Sequence, residues 1–144
     1  MASDGSLLGF LAALAIGIAI FSFPARDKKR TREPKTSKQR TFLCAVAGES
    51  YRNKDGTSRQ DILSSVRKGQ EMDLVREPDN QHDANAIRVC TMDGRQVGYI
   101  ARDIAERLAK QIDSGDTIKA FVERVTGGSK SAPSRGCVLR LFIV

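Results

Sequence analysis

The chain has 144 residues, enough for one compact domain and too few for two of ordinary size. Hydrophobic residues make up 40% of it, and 24 Lys and Arg against 17 Asp and Glu give a net charge of +7. That balance would fit a nucleic-acid binder, but the segment 24–40 alone carries +6, from Arg26, Lys28, Lys29, Arg30, Arg32, Lys35, Lys38 and Arg40 against Asp27 and Glu33. Residues 41–144 are left with 16 basic and 14 acidic side chains, so the global charge says little about what a folded domain there would bind.

The first predicted element is Leu7 to Phe23, LLGFLAALAIGIAIFSF, an uncharged run of 17 residues. As a helix it would be about 25 Å long, the lower end of what crosses a bilayer core. A cleaved signal peptide would need basic residues before the run and a small-x-small site after it. The chain begins MASDGS and closes the run with Phe23-Pro24-Ala25, which meets neither requirement. A buried core helix would show a polar face on one side or lead into more globular sequence, and this run does neither. A single-pass membrane anchor over 7–23 is the expectation. The basic segment 24–40 follows it directly, so the positive-inside rule places the N-terminus outside and the C-terminal part in the cytoplasm, at the inner (cytoplasmic) membrane. The segment's charge then serves as a stop-transfer signal and a contact for anionic lipid before it serves anything else.

From Thr41 onward the pattern becomes β-like. Thr41 to Ala47 reads as a strand, followed by Gly48-Glu49-Ser50-Tyr51 and a turn at Lys54-Asp55-Gly56. A short helix follows, capped by Thr57 or Ser58, with Asp61 in its first turn, Ile62, Leu63 and Val66 on one face and Gly69 as its stop. Residues 72–76 form a second strand ended by Glu77-Pro78. Residues 86–91 and 97–100 form a hairpin around Asp93-Gly94. Residues 102–113 are an amphipathic helix, with Ile104, Leu108 and Ile112 spaced four apart, Arg107 and Lys110 outward, and Gly115 beyond its end. Residues 117–126 and 137–144 are the last strands, joined by the loop GGSKSAPSRG. The sum is mainly β with two helices: a small, partly closed, six-stranded OB-like barrel over 41–144.

Cys44, Cys90 and Cys137 are odd in number and include no CxxC pair, which argues for free thiols in a reducing compartment. His82 is the single histidine, and no closely spaced ligand pair accompanies it, so no metal and no other cofactor is expected. The sequence contains no P-loop, no H-E-x-x-H and no G-x-S-x-G, so no catalytic residue is assigned and an enzyme is not expected.

The run from Leu74 to Val89, LVREPDNQHDANAIRV, resembles the signature of the HIRAN domain: a strand ending in Arg-Glu-Pro, an Asn-x-(Tyr or His)-Asp turn, then Asn-Ala and an apolar strand. Ala47-Gly48-Glu49-Ser50-Tyr51 is similar to that family's Gly-x-x-Tyr turn, and Val97 to Asp103, VGYIARD, to its Gly-Tyr-(Ile or Val)-x-(Arg or Lys) junction. The resemblance covers residues from about Arg40 to Val144, but not the apolar run, the basic segment or the 127–136 loop. It implies a modified OB-like barrel, and a partner in single-stranded DNA captured at its 3′ end. Family members joined to ATPase motors gain activity from the motor, of which this sequence shows no motif. Position 50 is Ser where well-studied eukaryotic members carry Arg, and position 82 is His where many carry Tyr. Arg52 is the nearest residue that could replace the lost phosphate contact.

The chemistry of the matching residues agrees with that implication. OB-type barrels stack bases on aromatic rings and follow phosphates with basic side chains. Tyr51 and Tyr99 are the only tyrosines, Arg52 and Arg102 lie near them, and Asn80, His82 and Asp83 share one turn. A terminal 3′-hydroxyl is a donor, which an ionised Asp83 accepts, whereas a phosphate there would be repelled. The same residues also fit structural roles. Asn80, Asp83 and Asn85 are turn-capping types, Tyr51 and Tyr99 suit a barrel wall, His82 suits an exposed turn, and Arg76 with Glu77 could form a local ion pair. Two functions therefore stand beside each other. One is a membrane-tethered nucleic-acid-binding module, with a DNA-processing enzyme encoded nearby as a partner. The other is a membrane-anchored adaptor that binds a protein or peptide along an open sheet edge. A hydrolase or metal protein would need ligands that the spacing does not show. For the anchor, a reporter fused after Val144 is expected to be active only on the cytoplasmic side. Activity only outside the membrane would reverse the orientation.

Overall fold

Strands whose alternate residues are apolar bury one face, and here they do so by curling into a closed barrel. The structure, a computed structural model, describes residues 39–144. The expected anchor 7–23 and all but the last two residues of the basic segment 24–40 lie outside the described residues. Among the described residues no helix is long and apolar enough to cross a membrane. The elements are β1 (Arg40–Ala47), α1 (Arg59–Ser65), β2 (Glu71–Arg76), β3 (Ile87–Thr91), β4 (Gln96–Ile100), α2 (Arg102–Asp113), β5 (Ile118–Thr126) and β6 (Gly136–Ile143). All neighbours are antiparallel, in the closed order β1-β4-β3-β2-β5-β6.

Closure depends on β1 dividing its length between two partners. Arg40 to Ala45 pair with β6, whereas Val46 and Ala47 pair with Ile100 and Tyr99 of β4. The strand order is closed, although the β1–β4 and β2–β5 seams are each only two residue pairs long. Close approach of β1 to β4 also explains Gly98. A Cβ there would lie 2.5 Å from Val46 Cγ1 and 2.6 Å from the Ala47 carbonyl oxygen, so only a hydrogen fits.

The interior is filled by Cys44 and Val46 of β1, Met72 of β2, Ile87 and Val89 of β3, Val97 and Ile100 of β4, Ala120 and Val122 of β5, and Cys137, Leu139 and Leu141 of β6. The strands match the sequence expectation closely, but two bulges break the simple alternation. One lies in β4, where Val89 pairs with Gly98 but Cys90 with Gln96, leaving Val97 as the extra residue. The other leaves Glu123 extra in β5, so that Val125 rather than Arg124 packs against the core.

α1 is shorter than a helix stopping at Gly69 would be. Ser58 caps it by accepting the Asp61 N–H, and the chain turns extended at Val66, which stays buried beside Ile62 and Leu63. α2 runs where its periodicity puts it, but its buried stripe is Ala105, Leu108 and Ala109. Ile104 and Ile112 are only partly buried. The helix lies close enough to the barrel that the small alanines, and not the larger isoleucines, occupy the centre of the contact. Arg107 is exposed as expected, with its guanidinium 5.2 Å from the Phe42 ring centre. All three cysteines are free and buried. Burial raises each thiol's pKa, that of Cys137 to about 12, which leaves them packing groups rather than reactive ones. Leu108→Ala should cost about 2–5 kcal/mol, because it opens a cavity that the barrel wall cannot fill. Chemical denaturation of the chain and its variant measures this, and an unchanged midpoint would place the helix on the wrong face.

Candidate nucleic-acid interface

The loop between β2 and β3, residues 77–86, is built from side chains that bond their own backbone. Asn80 Oδ1 accepts the N–H groups of His82 (3.0 Å) and Asp83 (3.3 Å), and Asp83 Oδ1 accepts that of Asn85 (2.8 Å). Asn80 and Asp83 therefore do hold the turn. Asn85 does not cap it but is the residue capped. Arg76 fastens the loop's base: its Nη1 donates to the carbonyls of Ala84 (2.8 Å) and Ala86 (3.2 Å), and its Nε and Nη2 grip the Asp113 carboxylate at 3.2 and 3.0 Å. The local Arg76–Glu77 pair read from sequence is thus replaced by two longer-range pairs, Arg76–Asp113 and Arg88–Glu77. The β2–β3 pairing brings Arg88 to Glu77, and the end of α2 brings Asp113 to Arg76; adjacency in the chain makes neither pair.

Glu77 is the centre of the arrangement. One carboxylate oxygen accepts Asn80 Nδ2 (2.9 Å) and the Tyr99 hydroxyl (3.2 Å), and the other faces Arg88 Nη1 at 3.2 Å. Tyr99 is thus a wall residue with a satisfied hydroxyl, as one sequence reading allowed, and it still presents surface to the site. Its ring has the Arg59 guanidinium 5.5 Å from its centre. Arg59 itself is 8% exposed, donating to Asn53 Oδ1 and the Gly48 carbonyl at 2.8 Å each. Gly48, at φ +77°, adopts the left-handed turn that lets its carbonyl also receive the Tyr51 N–H.

Two adjoining hollows result. The smaller, about 250 Å³, is lined by Ala47, Asn80, His82, Asp83, Ala86, Tyr99, Ile100 and Arg102. Five of the seven residues expected from sequence meet there: Asn80, His82, Asp83, Tyr99 and Arg102. Asp83 is the chemically distinctive group. With Oδ1 spent on the turn, its Oδ2 meets only Arg102 Nε, at 3.5 Å, and the Arg102 side chain is 78% exposed. Arg52 lines the other hollow, where its Nη1 donates to the Gly56 carbonyl at 3.0 Å. Tyr51 lines neither; it stands 69% exposed on the turn after β1. The larger hollow, about 860 Å³, is a groove running past α1's entry loop and the β3–β4 turn. Among the described residues no three His, Cys, Asp or Glu side chains gather as a metal site.

Sequence reasoning missed Glu77 and Arg59 as positioning residues. Arg59 had a signal: it lies three and four residues before Ile62 and Leu63, so a cation shares the apolar face of a helix. Glu77 stood in the Arg-Glu-Pro motif, but its role there was not legible, because its partners Asn80, Arg88 and Tyr99 come from a turn and two strands.

The family model described as HIRAN domain matches residues 39–138. A SWI/SNF-related matrix-associated actin-dependent regulator of chromatin subfamily A member 3-like 1 of Arabidopsis thaliana is 44% identical over 78 residues, which cover 51% of this chain and 8% of that protein. The helicase-like transcription factor of Mus musculus is 49% identical over 41 residues, covering 28% of this chain and 4% of that one. The chain thus spans less than a tenth of either relative. Among solved structures, the crystal structure of the HIRAN domain of human HLTF aligns with a TM-score of 0.55 at 24% identity, over 72% of this chain and 74% of that one. A Lactobacillus plantarum protein aligns with a TM-score of 0.56 at 26% identity, over 74% of this chain and 99% of that one.

Glu77→Ala should destabilise the domain by about 1–3 kcal/mol, since it strands the Arg88 guanidinium and two donors at once. In amide NMR spectra the shifts should concentrate at residues 80–83 and 99. Shifts spread evenly through the barrel would show that Glu77 does not organise the site.

Proposed function

Because the chain belongs to the HIRAN domain family, we propose that residues 39–144 bind single-stranded DNA and seat its 3′-hydroxyl end in the smaller hollow. Family membership supports the nucleic-acid-binding role, and the finer reading rests on one observation. In a hollow about 250 Å³ in size, walled by Ala47, Ala86 and Ile100, one carboxylate oxygen of Asp83 has no strong hydrogen bond. A nucleoside brings an apolar base face for those walls and a hydroxyl donor for that oxygen. A chain-internal nucleotide brings a phosphate instead, and two negative groups would meet. Arg102, mostly exposed at the mouth, is placed for the phosphate that precedes the terminal sugar. His82 and the outer face of Tyr99 offer surfaces for the base, and Tyr51, exposed on the turn after β1, offers a further ring for stacking. Arg52 serves the strand further along.

Binding rather than catalysis is the proposed role, with no metal or cofactor assigned. The tether at 7–23, the cytoplasmic orientation and a DNA-processing enzyme as neighbour complete the reading. An adaptor function for peptides finds less support, since the strand order is closed and only short stretches of the described strands lack a second partner.

The test compares three versions of one short single strand, ending in 3′-hydroxyl, ending in 3′-phosphate, or circularised. The hydroxyl form should bind most tightly. Asp83→Asn keeps the oxygen that caps Asn85 and removes the charge, so it should lessen discrimination against the phosphate without unfolding the loop. Tyr51→Ala should weaken every strand by about 1–3 kcal/mol. Arg102→Ala should flatten the salt dependence by about 0.7 of a unit of slope. Equal affinity for all three strands would exclude end recognition.

A further inference from the structure

The larger groove has features that the terminal hollow does not explain. Its lining holds six cationic side chains, on Arg52, Lys54, Arg59, Arg76, Arg88 and Arg95, against four carboxylates, on Asp55, Glu77, Asp79 and Asp93. Arg76 is paired with Asp113 from outside this lining, which leaves the groove a surplus of one cation. Three of the four carboxylates are already occupied: Glu77 by Arg88, Asp93 by Arg95, and Asp55 by the N–H and hydroxyl of Thr57. Two donors in the wall, Arg88 Nε and Gln96 Nε2, are enclosed without a hydrogen-bond partner. Unpaired buried donors are costly, and both lie just beneath the groove's surface in residues that line it. The groove is also continuous with the terminal hollow, since Asn80, His82 and Tyr99 line both.

From this geometry we infer that the groove is a second subsite, a track for the sugar–phosphate backbone of the nucleotides 5′ to the terminal one. Its lining includes the loop carrying Lys54 and the β3–β4 turn carrying Arg95, joined where Asn53 Nδ2 donates to the Gln96 carbonyl at 3.0 Å. The inference rests on the smaller hollow being the seat of the terminal nucleoside, because the rim of three shared residues then fixes where the next phosphates leave. Lys54 and Arg95 both line the groove and lie outside the terminal hollow, so they can lengthen the bound stretch without altering how the end is read. The Arg95–Asp93 pair is half-exposed, 2.8 Å apart, and held weakly enough for a phosphate to compete. An acidic peptide could use the same charges, but it has no nucleoside to place in the adjoining hollow.

The experiment titrates the full chain with 3′-hydroxyl single strands of two to eight nucleotides, at several salt concentrations, alongside the Lys54→Ala/Arg95→Ala double variant. Thermal melting of both proteins checks that these exposed substitutions leave the fold intact, and Lys54→Glu/Arg95→Glu is the second variant. For the unaltered chain, affinity should rise with length beyond the dinucleotide. In the double variant the longest strand should bind roughly tenfold more weakly and lose about 1.4 units of salt slope, as for two phosphate contacts, while the dinucleotide changes less than about twofold. The Glu variant should deepen the loss on long strands only. Equal weakening of short and long strands, no weakening of either, or displacement of the octanucleotide by poly-glutamate as readily as by another octanucleotide would overturn the subsite. A preserved 3′-hydroxyl preference with no length dependence would remove the groove and leave the end pocket standing. A length dependence abolished by the variant, with no preference among 3′ ends, would do the reverse.

Discussion

A single carboxylate, that of Glu77, ties the site together. It sits at the end of β2 with its side chain 22% exposed and takes contacts from the hydroxyl of Tyr99, the amide of Asn80 and the guanidinium of Arg88. Each contact belongs to a different piece of the interface: the strand that carries the Tyr99 ring, the turn that carries His82 and Asp83, and the wall of the groove. In a partly buried setting, hydrogen bonds to a charged acceptor are stronger than neutral ones, and breaking one leaves the others strained or unpaired. The loop therefore behaves as one rigid unit with the sheet. Asn80 passes this order on, because its amide N–H is held by Glu77 and its oxygen then receives two backbone N–H groups of the turn.

The barrel supplies the frame on which that carboxylate acts. β1 must leave β6 and cross to β4 within its last two residues, and the absence of a side chain at Gly98 lets it come close enough. The crossing brings Ala47 beside Tyr99, and the turn after Ala47 carries Gly48 and Tyr51. Arg59 then fixes this turn from the other side, with one guanidinium reaching the Gly48 carbonyl, the Asn53 amide oxygen and the Tyr99 ring. A buried cation tolerates its position only with partners of this kind. Structure and site are thus coupled: the elements that close the barrel also hold the walls of the hollow.

Electrostatics divides the surface unevenly. Most carboxylates near the interface are neutralised by a neighbour, while the cations of the groove retain an excess. Asp79 and Asp83 are the exceptions: among the described residues Asp79 takes part in no ion pair, and the second oxygen of Asp83 has only a long contact to a solvent-exposed arginine. The proposed end recognition draws on this mildly positive surface and on the accessible Asp83 carboxylate.

Much of this was written in the sequence. Strand and helix positions followed from alternation and from the spacing of Ile104, Leu108 and Ile112. Three short motifs named the family, and five residues of the smaller hollow were on the expected list, because turn chemistry and periodicity are local properties of a chain. What the sequence left open came from contacts between distant segments. A bulge at Val97 lets that residue be buried while Tyr99, two positions on, faces the site, whereas strict alternation would set both on one side. The close packing of α2 gave its centre to Ala105, Leu108 and Ala109. Arg76 and Glu77, adjacent in the chain, took separate partners at Asp113 and Arg88, and Tyr51 was left outside both hollows. Local patterning determined the elements, the family and the kinds of residue at the interface. Register, closure and the pairing of charges were decided by tertiary structure, because each depends on which strand lies opposite, and no window of sequence contains both partners.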